Sequence, residues 1–249
     1  TTTLRVVLNR RMAETNYRLN CLLIEDPPEG GIIGARQIGI SASHDEEMRE
    51  RVFMEIQRSA LRLDPDIIML GEIRDMQTAS FAYKLALTGR QVYTTIHAYS
   101  ALAIPQRLRD IGIQPYLVYD HNLLRGLITQ RLVRTLCPHC KVPHEIAEDD
   151  WQSLTRPWSS PVPTGAHKAV GCLECRDTGY RGRAGVYEIM QLNDNIKTLI
   201  TEGTDLVALR RQAFKEGMRS LRLSGAQKVA AGLTTIEEVL RVTPQSEQK

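Results

Sequence analysis

The chain has 249 residues, of which 42% are hydrophobic and 24% charged, and its 32 basic and 29 acidic residues leave a formal charge of +3. That length can bury a real core in one large domain or two smaller ones. The near balance of charge argues against nucleic acid or a membrane as the main ligand, and no apolar run approaches the roughly 20 residues that span a bilayer.

Taken in chain order, Thr1-Thr2-Thr3-Leu4 followed by Val6, Val7 and Leu8 reads as the start of a helix. A threonine run there is a plain N-cap; a chain cut just after the lysine of a G-x-x-x-x-G-K-[ST] loop would begin in the same way. Leu19–Glu25 is apolar and stops at Asp26-Pro27-Pro28-Glu29-Gly30-Gly31, the pattern of a buried strand running into a loop. His44 to Leu63 reads as a helix, and Asp66–Leu70 as a second buried strand ending at Gly71-Glu72. Asp75 is placed to cap a helix carrying Ala79, Ala82, Tyr83 and Ala86 on one side, and Gly89 to end it in the left-handed conformation. Gln91–Ile96 is β-rich and leads to His97. Strands alternating with helices of this length predict a parallel α/β sheet.

The character changes near residue 135. Cys137 to Ile189 is rich in Pro, Gly, Cys and His and predicts a small loop-rich subdomain, with no regular structure over Arg156–Gly165. Helical patterns return from Asn193, and Thr234-x-x-Glu237 has the form of a capping box. The expected regions are therefore 1–134, 135–190 and 191–249.

Glu25-Asp26, Glu72 and His97 each follow a predicted strand. Ligands of open α/β sheets bind outside the C-terminal strand ends, and an acid after an apolar strand, as in IIMLGE, is the layout that presents a carboxylate to a Mg²⁺-bound or attacking water. Any one such acid alone is more often a solvated loop residue; the three in this order point to a nucleotide site. Cys137/Cys140 and Cys172/Cys175 form two C-x-x-C pairs separated by 31 residues. Each pair can turn two thiolates onto one tetrahedral ion. The odd total of five cysteines speaks against a secreted disulfide scaffold. His139 lies inside the first knuckle and is an alternative ligand, whereas Cys21 reads as a core residue.

Longer stretches carry a resemblance. Leu61–Asp75 (LRLDPDIIMLGEIRD) resembles the Walker B box of the type II secretion and type IV pilus assembly ATPase family. Thr88–Ala101 (TGRQVYTTIHAYSA) resembles its His box, and Ile24–Glu29 (IEDPPE) its Asp box. Gln130–Lys141 with Gly171–Glu188 resembles its tetracysteine region, and Leu233–Thr243 its C-terminal segment. The resemblance implies a RecA-like P-loop NTPase core of αβα type, with a zinc-binding tetracysteine subdomain and a helical C-terminal extension.

It further implies a chain beginning just after the Walker A lysine, so that this stretch alone is expected neither to bind ATP tightly nor to hydrolyse it. Glu25, Glu72 and His97 would be catalytic. Thr1 would be a Mg²⁺ ligand, Asp26 and Arg74 would contact the nucleotide, and the four paired cysteines would hold Zn²⁺. Arg36, Arg58, Arg62 and Arg74 are candidates for phosphate or subunit contacts. The working form would be an ATP- and Mg²⁺-dependent homo-hexamer at the cytoplasmic face of the bacterial inner membrane. Its partners would be platform and adaptor proteins of a pilus, type II or conjugative-type secretion machine, with no nucleic acid. The rival reading is a zinc-stapled interaction module with a non-functional nucleotide fold.

Overall fold

The computed structural model describes residues 1–40, 46–120, 122–200 and 205–243. They fall into two compact units, Thr1–His97 with Ile104–Leu124, and Ala98–Ala103 with Arg125–Lys249.

In the first unit, α1 (Thr2–Glu14) buries Arg5, Leu8 and Met12, a stripe at the spacing that lines one helix face. It is followed by β1 (Cys21–Glu25), β2 (Ala35–Gly39), α2 (Glu46–Arg62), β3 (Ile67–Ile73), α3 (Met76–Leu87) and β4 (Gln91–Ile96), with α4 (Ile104–Asp110) and α5 (Pro115–Val118) after the excursion into the second unit. The sheet order is β2-β1-β3-β4, and every neighbouring pair is parallel. Leu8 and Met12 of α1 cover the face formed by Cys21, Leu23, Ile67 and Met69. The opposite set, Leu22, Ile24, Ile68 and Leu70, is equally buried. Two right-handed crossovers in the same direction place α2 and α3 on that second face, where Phe53 and Phe81 meet edge to face with centroids 6.0 Å apart. Burial on both faces explains why β1 and β3 read as continuous apolar runs instead of alternating ones.

Asp75 caps α3 as expected, accepting from Thr78 N at 2.7 Å, and Gly89 follows it at φ +88°. Cys21 is buried in β1, and burial pushes its thiol up to about 11. Strand β3 differs from expectation. It continues through Gly71 to Ile73, with a register shift between Leu70 and Glu72, so Glu72 sits in the strand at a bulge, a feature that re-aims side chains. The start of the second helix, His44-Asp45, lies outside the described residues. Strand β2 was not legible because Arg36 and Gln37 leave it without an apolar run, both being exposed on this edge strand.

The second unit is built on an antiparallel ribbon of β5 (Gly126–Leu136) and β8 (Tyr180–Gln191). Between them lie β6 (Val142–Pro143), α6 (Glu148–Thr155) and β7 (His167–Lys168); after them come α7 (Asp194–Lys197), α8 (Leu206–Lys215), α9 (Leu221–Ala230) and α10 (Ile236–Val242). One core joins Val133 and Val186 of the ribbon, Trp151 and Leu154 of α6, Leu221, Ala226 and Val229 of α9, and Val239 of α10. At Gly225 a Cβ would collide with the Val239 side chain, so the missing side chain is what lets α9 and α10 cross closely. Residues of the 135–190 stretch thus share a core with the C-terminal helices, and residues 125–134 belong to this unit as well. Residues 156–166 form neither helix nor strand. The cap of α10 is Thr235, which accepts from Glu238 N at 3.4 Å. Thr234, expected in that role, is instead fully buried and donates to Arg134 O at 2.8 Å.

Candidate functional site

Because β1, β3 and β4 are parallel neighbours, their C-terminal ends lie along one sheet edge. Glu25 is the last residue of β1, Glu72 is the next-to-last of β3, and His97 directly follows β4. The strand order therefore brings together three groups that the sequence separates by 47 and 25 positions, counted from their numbers.

Glu25 is 2% exposed. One oxygen pairs with the guanidinium of Arg5, and the other accepts from Gln37 Nε2 at 2.7 Å. Arg5 Nε lies 3.7 Å from Glu29, and its buried Nη1 has no hydrogen-bond partner among the described residues. Arg5 donates its backbone N–H to Thr1 O at 3.1 Å, so the N-terminal turn of α1 stands at the same edge. Thr1 is the N-cap there, and its side chain makes no capping bond. The positive end of a helix dipole favours phosphate at such a place. Gly39, at the end of β2, has no Cβ to obstruct the ring of Pro28, which packs against it. The loop that follows Glu25 is thereby laid over the strand end.

Glu72 divides its oxygens: Oε1 lies 2.9 Å from His97 Nε2, and Oε2 accepts from Arg74 Nε at 2.7 Å. The Glu72 hydrogen bond, then its charge, raise the Arg74 pKa above the ordinary guanidinium value, with Asp26 and Asp75 adding to it. Asp26 thus belongs to the same electrostatic cluster. The His97 side chain is 91% exposed. Arg36, Arg58 and Arg62 are exposed on β2 and α2. Two residues at the edge, Arg5 and Gln37, were not singled out from the sequence. The signal for Arg5 was a cation at a helix position whose i+3 and i+7 neighbours, Leu8 and Met12, are core. Carboxylates and a hydroxyl beside a helix N-terminus are hard oxygen donors, suited to a Mg²⁺–phosphate ligand.

In the second unit the Sγ atoms of Cys137, Cys140, Cys172 and Cys175 all lie within 4.8 Å of one another. Cys137–Cys172 and Cys140–Cys175 are both 3.9 Å apart and Cys172–Cys175 is 3.8 Å. A tetrahedron with metal–sulfur bonds of about 2.3 Å has edges of about 3.8 Å, whereas a disulfide needs about 2.05 Å. The donor set therefore fits one four-coordinate thiolate-bound ion. Backbone N–H groups support it: Gly171 donates to Cys140 Sγ at 3.4 Å, and Cys172 and Gly179 to Cys175 Sγ at 3.2 Å. Burial pushes the Cys175 thiol up, but these two N–H bonds help bring it down to about 7. His139 is exposed and outside the cluster.

A family model described as "Type II/IV secretion system protein" matches residues 1–241. The chain belongs to that family. It is 43% identical over 91% of its length to the type IV pilus assembly ATPase TfpB of Acinetobacter baylyi, covering 38% of that protein. It is also 41% identical over 98% of its length to the type II secretion system protein HxcR of Pseudomonas aeruginosa, covering 46%. To the type II secretion system ATPase E of Vibrio cholerae it is 38% identical over 91%, covering 43%. This secretion-family chain thus spans less than half the length of these curated relatives. Among solved structures it resembles the pilus retraction motor PilT with bound ADP, at a TM-score of 0.61 and 22% identity, covering 96% of this chain and 57% of that one. That likeness shows an α/β ATPase fold. The expected family and the α/β ATPase fold are both borne out.

Proposed function

We propose that this secretion-family chain is the hydrolytic part of an ATP-driven motor for type IV pilus assembly or type II or conjugative-type secretion, working as a homo-hexamer. The observation that carries the reading is the meeting of Glu25, Glu72 and His97 at one edge of a parallel sheet, beside the N-terminal turn of α1. The names of the relatives, pilus assembly and secretion ATPases, agree with it.

Glu72 is the residue assigned to the attacking water. Its side chain is 21% exposed whereas that of Glu25 is 2%, so Glu72 is the carboxylate that incoming water can reach. His97, bonded to one of its oxygens, sits where the terminal phosphate would be sensed, and Arg74 offers positive charge on the other. Glu25, fixed by Arg5 and Gln37, contributes a stationary negative charge near the phosphates. Asp26 would contact the nucleotide, and the Thr1 hydroxyl would serve as a hard donor to Mg²⁺. Mg²⁺, when bound with ATP, would neutralise charge on the phosphate oxygens. Positioning and preorganised charge supply most of the rate in such reactions. The four cysteines would hold Zn²⁺, which supplies folding free energy to a loop-rich region.

No helix among the described residues is long and apolar enough to cross a membrane. A place at the cytoplasmic face of the inner membrane, with platform and adaptor proteins as partners, belongs to the proposal. The test is Mg²⁺-ATPase activity of the full-length protein against Glu72→Gln. Loss of at least about 100-fold is expected, the scale seen when a transition-state contact is removed. Equal turnover of the two proteins, or an inert full-length ring, would put the interaction-module reading first.

A further inference from the structure

Strand β3 carries an extra residue where it approaches the site. Leu70 pairs with Thr94 of β4, but Thr95 pairs with Glu72, so Gly71 is left over between them. In an unbroken ladder Gly71 would stand opposite Thr95, and Glu72 opposite Ile96. Side chains alternate between the two faces of a strand, and a slip of one residue exchanges the faces. Without the extra residue Glu72 would therefore share the face of Ile68 and Leu70, away from α1. The bulge reverses this. Thr95 is on the same side of β4 as Tyr93, which packs against the cluster of Leu8 and Met12 of α1. Pairing with Thr95 thus turns Glu72 towards the face that α1 covers. Glu25 lies on that face too, in line with Cys21 and Leu23 and bonded to Arg5 of α1.

A bulge disrupts the ladder locally, and a backbone group displaced from it needs another partner. Gly71 O has one in the Thr95 hydroxyl, which donates to it at 2.7 Å. Thr95 is half-buried, and valine would suit the strand equally well, so what the hydroxyl adds is this bond. The bulge also lies against the end of β1: a Cβ placed on Gly71 would be 3.5 Å from Glu25 Cα. Just past it, Glu72 meets His97 Nε2 at 2.9 Å and Arg74 Nε at 2.7 Å. All of these residues belong to the first unit.

We propose that Thr95 is a positioning residue for Glu72: by holding the Gly71 carbonyl it fixes the bulge that presents the Glu72 carboxylate on the α1 face, beside His97. The consequence for rate rests on the proposed nucleotide site, whereas the hold on the bulge does not. The hydroxyl is spent on a backbone carbonyl and acts on the reaction only through Glu72.

The test uses the full-length protein with Thr95→Val, Thr95→Ser, Glu72→Gln and the Thr95→Val/Glu72→Gln pair, read by steady-state ATPase kinetics and by hydrogen exchange over residues 70–74. Thr95→Val should lower kcat by on the order of 10- to 100-fold, the range that misplacement of a reacting group produces, while KM for ATP changes by less than about threefold. The amides from Gly71 to Ile73 should lose protection. Thr95→Ser keeps the donor and should restore both readouts. The pair should be no slower than Glu72→Gln, because residues acting through one another do not add. Losses that multiply, a wild-type kcat in Thr95→Val, or unchanged protection there would overturn the proposal. So would a Thr95→Ser protein as slow as Thr95→Val. Should Thr95→Val fail to fold, Thr95→Ala removes the same donor with a smaller side chain and is held to the same outcomes. If Glu72→Gln turns over like the wild type, the nucleotide-site reading fails, and the exchange data still decide whether Thr95 holds the bulge.

Discussion

His97 Nε2 stands 2.9 Å from Glu72 Oε1, a side-chain contact across the β3–β4 edge that joins two groups of the proposed site. The histidine is almost wholly exposed, so its removal takes little packing from the unit. His97→Ala in the full-length protein is expected to lower ATP turnover by on the order of 100-fold, as loss of a preorganised transition-state contact does. Its denaturant midpoint should stay within the small range of surface substitutions, about ±0.5 kcal/mol. A large stability loss with intact turnover would make His97 a structural residue.

Arg5 and Glu25 form the opposite case, a buried pair. Removing one partner strands a charge, which costs about 3–5 kcal/mol, whereas replacing both with neutral groups of similar shape is often close to neutral. Arg5→Met alone is therefore expected to destabilise the first unit by about 3 kcal/mol or more, and Arg5→Met with Glu25→Gln by clearly less. Denaturant unfolding of the three proteins decides it, and a double variant at least as unstable as Arg5→Met would show that the pair is not the source of the cost.

The first unit was legible because its strands are buried on both faces. Leu22, Leu23 and Ile24, and Ile67 to Leu70, left apolar runs that punctuation by Pro, Gly and Asp then bounded. The acids at their ends could be named, but their neighbours could not. Arg5 and Gln37 reach Glu25 from a helix and an edge strand, 20 and 12 positions away, and only the sheet order makes them adjacent. The ribbon of the second unit was missed for another reason. Its outer face carries Ile128, Leu132 and Ile189, while Thr129 and Glu188 sit on the inner one, so polar and apolar residues do not sort by face. The cysteine spacing, by contrast, is a covalent-scale constraint, and it announced the cluster although 31 residues intervene.

That cluster yields a third expectation. If the four thiolates hold an ion, the purified protein should contain one equivalent of zinc by elemental analysis, and Cys172→Ser should lower the content together with the cooperativity of unfolding in the second unit. Metal binding of this kind is folding free energy, so a strong chelator should expose the Cys137–Gly179 stretch to protease. Full cooperative unfolding in metal-free protein would leave the thiols without a structural role.

Glu238 gives a pH prediction with a definite sign. It is 2% exposed and receives Arg134 Nη2 at 2.6 Å, the Arg134 backbone N–H at 3.0 Å, and Arg241 Nε and Nη2 at 3.0 and 2.9 Å. Burial pushes its carboxyl up, but the hydrogen bonds from Arg241 and Arg134 together outweigh this and bring it down to about 2. Since the unfolded value is about 4.3, the folded state binds the proton less readily than the unfolded chain. The stabilisation is complete above that unfolded value and is lost as pH falls through the folded one. Unfolding of the second unit should therefore become easier between about pH 4.3 and the folded value of about 2. Glu238→Gln should flatten that slope and cost about 2 kcal/mol at neutral pH, the scale of a hydrogen-bonded charge whose partners stay half in water. An unchanged acid slope in Glu238→Gln would assign the acid sensitivity to a different carboxylate and leave the Arg134–Glu238–Arg241 link without weight in holding α10 to the ribbon.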